Sequence, residues 1–275
     1  MVPYSKRHLK VLLSHIVPAD WEQYAIGSSK PLYGEVKGAR SLLQFQNLPE
    51  YSLYFLRLSA SKNEKLIFVR DRSVFFLTVQ LTNTLHFTMP EMHPLSLHEW
   101  AFNFFYTPDF SLEVDMKSDS FYETFFLMVP EAFLLYFSKQ SALIRTFHQK
   151  TKDKKPRGLL PFSKVCSPEI IRSIVHVQQH GMQDLTMQFA ENMLSDIFEL
   201  SVSLPFTKIQ YDDDVIERLY GLKAFLQNNP ENGLSRSDMM QRFQLTATQF
   251  NHGFSSLYNL TPFAFLKYVR KQGQL

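Results

Sequence analysis

The residues best suited to a specific chemical task are a group of short polar side chains near the end of the sequence. They fall on one stretch and can all donate or accept hydrogen bonds: Thr248, Gln249, Asn251, His252, Ser255 and Ser256. Phe250, Phe254 and Leu257 recur among them at helical spacing, which predicts a helix with one apolar side and one polar side. A polar helix face of this kind can hydrogen-bond base edges in the major groove of DNA.

Two further helices are predicted around this stretch. The preceding helix has apolar residues at helical spacing, namely Leu234, Met239, Met240 and Phe243. Ser235 is its predicted N-cap, and Asp238 three residues later completes a variant of the capping box. Thr246 is placed to cap the polar helix. Thr261 and Pro262 begin the last helix, because proline at the first helical position loses no hydrogen bond.

The run from Leu234 to Arg270 resembles the first helix-turn-helix of the AraC/XylS family of bacterial transcription regulators. The shared pattern is a small capping residue, a helix, a tight turn, and then an apolar helix followed by Thr261-Pro262 and an arginine. Because Gly253 lies inside the second helix, the sequence most resembles the branch of the family typified by the pyochelin regulator PchR. The resemblance implies a DNA-binding regulator that responds to a small-molecule effector. The alternative is a cupin-like binding protein or enzyme whose C-terminal helices only pack.

The resemblance also implies roles for individual side chains. Thr248, Asn251 and His252 are expected to read base edges, with Gln249 beside them on the polar side of the helix. Phosphate contacts are expected from another set: Ser255, Ser256, Arg242 and Arg270. The polar helix has no Lys or Arg, and residues 212–275 contain seven Lys or Arg against six Asp or Glu, which leaves a net charge of +1. The electrostatic attraction of this region for DNA is therefore expected to be weak.

Members of this family continue after the matching region with a linking helix and a second helix-turn-helix, whereas this sequence ends at Leu275. A shortened chain, a natural truncation and a protein with one reading helix per subunit all remain open. Each of them predicts weak binding to promoter DNA, which a second motif would strengthen.

An α+β fold in three parts is predicted. Residues 1–128 form a β-rich, cupin-like sensor domain, because short runs rich in β-branched and aromatic residues alternate with turn residues. A hairpin is expected at Ser111–Val129, and an aromatic-lined cavity inside the domain is expected to hold a largely apolar effector. Residues 129–208 form a helical linker and dimerisation segment, with helices at 131–149, 167–180 and 187–204. Residues 209–275 form the DNA-binding domain.

The net charge of +3, the single cysteine Cys166 and the lack of a signal peptide or long apolar run predict a cytoplasmic protein. The expected partners are promoter DNA, an unidentified small-molecule effector, a second copy of the chain as a homodimer, and RNA polymerase, with no membrane. The basic stretch Lys150–Gly158 is predicted to be a solvated loop, with phosphate contact as the alternative.

Catalysis is not expected, because none of the common catalytic or phosphate-binding motifs occurs. The residues nearest to a metal-binding pattern are His86, Glu91, His93 and His98. They lack two histidines one residue apart on one strand, so neither a metal nor a cofactor is expected.

Overall fold

The computed structural model describes residues 2–5, 13–36, 38–70, 73–160, 163–203, 213–231, 233–258 and 260–272. The chain divides into two compact units, Met1–Leu204 and Pro205–Leu275. The described part of the first unit contains strands and helices, and that of the second contains helices. The predicted α+β class is confirmed.

Most of the first unit is built from β-strands. Their bounds are β1 (Val2–Ser5), β2 (Leu13–Ser14), β3 (Lys30–Val36), β4 (Ala39–Asn47), β5 (Ser52–Ala60), β6 (Glu64–Arg70), β7 (Val74–Thr82), β8 (Leu85–Thr88), β9 (Leu95–Leu97), β10 (Ala101–Thr107), β11 (Phe110–Met116), β12 (Ser120–Val129), β13 (Arg157–Gly158) and β14 (Lys164–Val165).

The strands form two antiparallel sheets, as predicted for a cupin-like domain. One sheet has five strands in the order β1-β6-β11-β8-β9, and the other has nine in the order β13-β10-β7-β12-β5-β4-β3-β2, with β14 also paired to β10. Strands adjacent in sequence often lie in opposite sheets, so the chain passes repeatedly from one sheet to the other.

This crossing explains why the predicted hairpin at Ser111–Val129 is wrong. The turn between β11 and β12 is present, with Asp119 at a positive φ of 54°. However, β11 pairs with β6 and β8, whereas β12 pairs with β5 and β7. The turn therefore connects the two sheets. Side chains of both strands are buried in the space between the sheets.

Aromatic and aliphatic side chains pack together in the space between the sheets. The ring of Phe76 lies 5.5 Å from that of Phe105, 5.3 Å from Phe110 and 6.2 Å from Phe126, measured between centroids, and all four residues are almost completely buried. The aromatic residues that suggested a cavity therefore pack against one another in this core. The Phe76–Phe110 pair is edge-to-face, an arrangement that stabilises a core beyond the area that it buries.

Helices cover the other face of the nine-stranded sheet. They are α1 (Ala19–Glu22), α2 (Glu131–Ser138), α3 (Ala142–Lys150), α4 (Pro168–His180) and α5 (Met187–Ser203). The helix expected at 131–149 is in fact two helices. Ser141 is extended, at φ −125° and ψ 123°, and its hydroxyl accepts a hydrogen bond from the Ile144 N–H as the N-cap of α3. A serine that competes for the backbone in this way starts a new helix.

The second unit contains α6 (Asp213–Asn228), α7 (Arg236–Arg242), α8 (Phe254–Tyr258) and α9 (Pro262–Gln272). Its core draws apolar side chains from every helix: Val215, Leu219, Leu222, Leu226, Met239, Leu245, Phe250, Phe254, Tyr258, Phe265 and Leu266. Thr261 caps α9 by accepting from the Ala264 N–H, as predicted.

Candidate functional site

The candidate site is the helix pair, defined here as residues 235–258. Its first helix, α7, begins with the predicted capping box. The Ser235 hydroxyl accepts from the Asp238 N–H at 3.3 Å, and the Asp238 carboxylate accepts from the Ser235 N–H at 3.0 Å. The Ser235 hydroxyl also donates to the Asp238 carboxylate at 2.7 Å, and this bond, together with that from the Ser235 N–H, holds the pKa of the Asp238 carboxyl below its ordinary value. The box fixes the start of α7 by satisfying N–H groups that have no partner inside the helix.

A left-handed residue ends α7 and forms the turn. Gln244 has a φ of 50°, and its N–H donates to the Gln241 carbonyl at 3.2 Å. The next N–H, of Leu245, donates to the Met240 carbonyl at 2.9 Å. Together these two bonds form a Schellman motif, in which glycine is the usual left-handed residue. The turn therefore has a fixed shape, although its sequence has no glycine to indicate it.

Arg218 of α6 holds this turn from outside. Its Nη1 donates to the Gln244 carbonyl at 2.7 Å, and its Nη2 lies 2.8 Å from the Asp214 carboxylate. The sequence alone does not indicate this contact of Arg218. The spacing of four residues between Asp214 and Arg218 suggests an ion pair on one helix, but it gives no indication of the distant carbonyl.

The second helix of the pair begins with a reciprocal cap. The Thr246 hydroxyl accepts from the Gln249 N–H at 3.2 Å, and the Gln249 side-chain oxygen accepts from the Thr246 N–H at 2.8 Å. The predicted cap at Thr246 is thus present. Gln249, expected on the DNA-contacting side, uses its side-chain oxygen in this cap.

Residues Gln249–Gly253 form a π-helical turn before α8 begins. A π-helix has more residues per turn than an α-helix, so residues four apart in the sequence remain on the same side of the helix. Phe250, Phe254 and Tyr258 are accordingly all buried. Leu257, expected on the buried side from a regular helical period, is only half-buried.

The opposite side of this helix carries the predicted reading residues. Thr248 and His252 are exposed and four residues apart, whereas Asn251 and Ser255 are half-buried. The backbone of Ser256 lies in α8, and its side chain is outside the described residues. The structure thus brings Thr248 and His252 to one outward side, with Asn251 and Ser255 at its borders.

The two arginines expected at phosphates make contacts within the unit. The guanidinium of Arg242 lies 4.4 Å from the ring centroid of Phe225, a cation–π distance. Arg270 Nε donates to the Pro230 carbonyl at 2.7 Å. Both side chains remain exposed.

The histidines considered for a metal site make other contacts. His86 Nδ1 lies 2.9 Å from the Ser96 hydroxyl, and His98 Nδ1 lies 3.4 Å from that of Thr84. Within the described ranges, no group of three or more His, Cys, Asp or Glu side chains is arranged to hold a metal ion.

Cys166 is buried, and burial raises the pKa of its thiol, so the reactive thiolate is disfavoured.

A shallow cavity of about 370 Å³ opens at one end of the sandwich. It is lined by residues 48–52, 73–75 and 128–131, which include the carboxylates Glu50 and Glu131 and the apolar side chains of Phe75 and Val129. This cavity is distinct from the expected aromatic interior, because it lies at the ends of β5, β7 and β12.

Helices long and apolar enough to cross a bilayer do not occur in the part of the chain that the structure describes.

No protein-family model matches the chain, and comparison with curated proteins finds no match. Similar solved structures include the AraC-like transcriptional activator CuxR, at 10% identity over 86% of this chain and 80% of that one, with a TM-score of 0.38. ToxT from Vibrio cholerae is 10% identical over 82% of each chain, with a TM-score of 0.36. A cupin domain from Bordetella pertussis Tohama I is 16% identical over 35% of this chain and 97% of that one, with a TM-score of 0.26. Similarities at this level do not establish a family.

Proposed function

We propose that this chain is a sequence-specific DNA-binding transcription regulator, with the helix pair as a helix-turn-helix of the AraC/XylS type. The observation that carries the proposal is the outward side formed by Thr248 and His252. These polar side chains stand on a helix that is capped at its start, joined to α7 by a fixed turn, and anchored by buried phenylalanines. A helix presented in this way can enter the major groove with its polar residues towards the bases.

The side chains have different roles in this proposal. Thr248 and His252 contact base edges directly, and Asn251 completes the surface at its border, where an asparagine can pair with both N6 and N7 of adenine. Gln249 acts through the cap and so positions the helix. Arg242, Arg270, Ser255 and Ser256 are the phosphate contacts within this unit. RNA polymerase is a further partner in this proposal if the regulator is an activator, and no surface is assigned to it.

The first unit is the sensor in this proposal. Buried aromatic and aliphatic side chains pack between its two sheets, so we assign the effector to the cavity at the end of the sandwich. Homodimerisation is assigned to the apolar helices after Pro130, where Leu135 and Tyr136 of α2 are exposed. A dimer would place two reading helices on half-sites about 34–36 Å apart. The assignment to the PchR-like branch is based on sequence alone, through Gly253.

The test is selection of binding sites from a random pool of DNA duplexes with the full chain, followed by affinity measurements on selected and scrambled duplexes. The His252→Ala variant is expected to reduce the ratio of selected to scrambled affinity by about tenfold, since a base contact contributes roughly 1–3 kcal/mol of discrimination. His93→Ala is the control, because His93 is also an exposed histidine but lies in the first unit.

Two outcomes would contradict the proposal. A pool that yields no enriched sequence would favour the alternative, a cupin-like binding protein whose C-terminal helices only pack. An enriched sequence whose preference is unchanged in His252→Ala and in Thr248→Ala would place the reading surface elsewhere.

A further inference from the structure

We propose that the basic loop, residues 150–157 of the first unit, contacts the phosphate backbone of the DNA that the helix pair reads. This inference rests on the proposed function. The loop contains five Lys or Arg and one Asp, a net charge of +4, whereas the whole chain has a net charge of +3. The rest of the chain therefore sums to −1, so this loop carries more net positive charge than the chain as a whole.

The single acidic residue of the loop is used internally. Arg157 Nη2 lies 2.6 Å from Asp153 Oδ1 and 2.5 Å from Oδ2. The Lys155 N–H also donates to Asp153 Oδ1 at 3.1 Å. Asp153 thus neutralises Arg157 and closes the turn, and the four lysines of the loop supply its outward charge.

These four lysines are exposed: Lys150, Lys152, Lys154 and Lys155. Within the described ranges none of them forms an ion pair with a carboxylate. A phosphate group would therefore meet their ammonium groups without displacing an existing protein partner.

The backbone that carries the lysines is held at both ends. On one side the Thr151 hydroxyl, which is buried, donates to the His148 carbonyl at 2.7 Å at the end of α3. On the other side, Arg157 and Gly158 form β13, paired with β10. Because the turn is already ordered, the backbone would lose little conformational entropy on binding a phosphate.

The helix pair needs such a contribution from elsewhere. Its reading helix has no Lys or Arg, and residues 212–275 have a net charge of only +1. Phosphate contacts set the register of a protein on DNA and provide most of its non-specific affinity. Because the loop and the helix pair belong to one chain, phosphate contacts made by the loop add to the total affinity of that chain for DNA.

The experiment compares the full chain with a variant in which Lys150, Lys152, Lys154 and Lys155 are all changed to Gln. Affinity for a random-sequence duplex of about 30 base pairs and for selected duplexes is measured from about 50 to 200 mM salt. Each lost phosphate contact is expected to reduce the slope of log affinity against log salt by about 0.9, so four reduce it by about 3.6. When salt rises from about 50 to 200 mM, a slope difference of about 3.6 means that the wild-type chain loses roughly 150-fold more affinity than the variant.

A matched control changes four other exposed lysines of the first unit to Gln, namely Lys30, Lys62, Lys117 and Lys139. Both variants have the same net charge, so only the position of the charge differs. We expect the control to keep nearly the whole wild-type slope on both kinds of duplex.

The inference is overturned if the loop variant and the control have the same slope, or if the wild-type chain does not bind the random duplex at low salt. The two proposals fail separately. Loss of the sequence preference in His252→Ala with an unchanged slope supports the reading helix, whereas a reduced slope in the loop variant on the random duplex supports the loop even if no preferred sequence exists.

Discussion

Arg218 Nη1 donates to the carbonyl oxygen of Gln244 at 2.7 Å, and this contact connects α6 to the turn of the helix pair. The same guanidinium contacts the Asp214 carboxylate through Nη2. The turn sets the angle between α7 and the reading helix, so Arg218 is a positioning residue for Thr248 and His252. A left-handed Gln244 held in this way explains how a turn without glycine keeps one conformation.

Arg218→Met is expected to lower the free energy of unfolding of the second unit by about 1 kcal/mol. A charge-assisted hydrogen bond contributes somewhat more when buried, but the Arg218 side chain is 32% exposed and partly screened by water. Both tryptophans, Trp21 and Trp100, lie in the first unit, so a loss of helical circular dichroism without a change in tryptophan fluorescence reports on the second. The control is Arg236→Met, since Arg236 is also exposed and lies at the start of α7. Equal effects of the two substitutions would refute the positioning role.

Gln244→Gly is expected to stabilise the second unit by about 0.5–1 kcal/mol. A non-glycine residue loses roughly 1–2 kcal/mol in the left-handed region, and the greater backbone entropy of unfolded glycine offsets part of the gain. Gln241→Gly provides the opposite control, because Gln241 lies within α7, where glycine costs up to about 1 kcal/mol. Denaturant unfolding followed by circular dichroism measures both. Destabilisation by Gln244→Gly would show that the Gln244 side chain contributes more than its backbone strain costs.

The second unit is expected to lose stability in acid through Asp238. The folded pKa of this carboxyl is lowered, first by the Ser235 hydroxyl and then by the Ser235 N–H. The stabilisation that the ionised Asp238 contributes is therefore fully present above pH 3.8, the ordinary pKa of Asp. It is lost as the pH falls through the lower pKa of the folded state. Asp238→Asn should flatten the dependence of stability on pH in this window. Ser235→Ala should flatten it partly, and an unchanged pH profile in both variants would exclude the capping box as its source.

Glu123→Ala is expected to destabilise the first unit by about 3–5 kcal/mol. Glu123 Oε1 lies 2.5 Å from Arg57 Nε, and their side chains are 14% and 5% exposed, so the substitution leaves a buried cation without its partner. The double variant Arg57→Met/Glu123→Leu should lose less, because it removes both charges. Tryptophan fluorescence during denaturant unfolding measures the difference.

The control for this pair is Glu169→Ala, which breaks the exposed Glu169–Arg172 pair of α4 and should cost less than about 1 kcal/mol. A double variant as unstable as Glu123→Ala alone would mean that packing, and not the unpaired charge, accounts for the loss.

Local signals in the sequence were sufficient for much of the candidate site. Ser235 with Asp238 and Thr246 with Gln249 are three residues apart, and a cap depends only on residues within one helical turn. The outward position of Thr248 and His252 follows from the same local geometry. The sequence does not predict the π-helical turn at Gln249–Gly253, because this turn places Tyr258 instead of Leu257 on the buried side without any change in the apolar pattern.

Local patterns in the sequence are sufficient to predict the α+β class, the β character of the region before Pro130, and the capped starts of α7, the reading helix and α9. Alternation, helical period and capping are properties of neighbouring residues. The pairing of the strands depends on the tertiary structure, since the turn after Met116 gives the same local pattern whether it joins strands of one sheet or of two. The tertiary structure also brings the phenylalanines around Phe76 together between the two sheets and places Arg218 against the carbonyl of Gln244. These contacts join residues far apart in the chain, and their geometry depends on how whole elements pack.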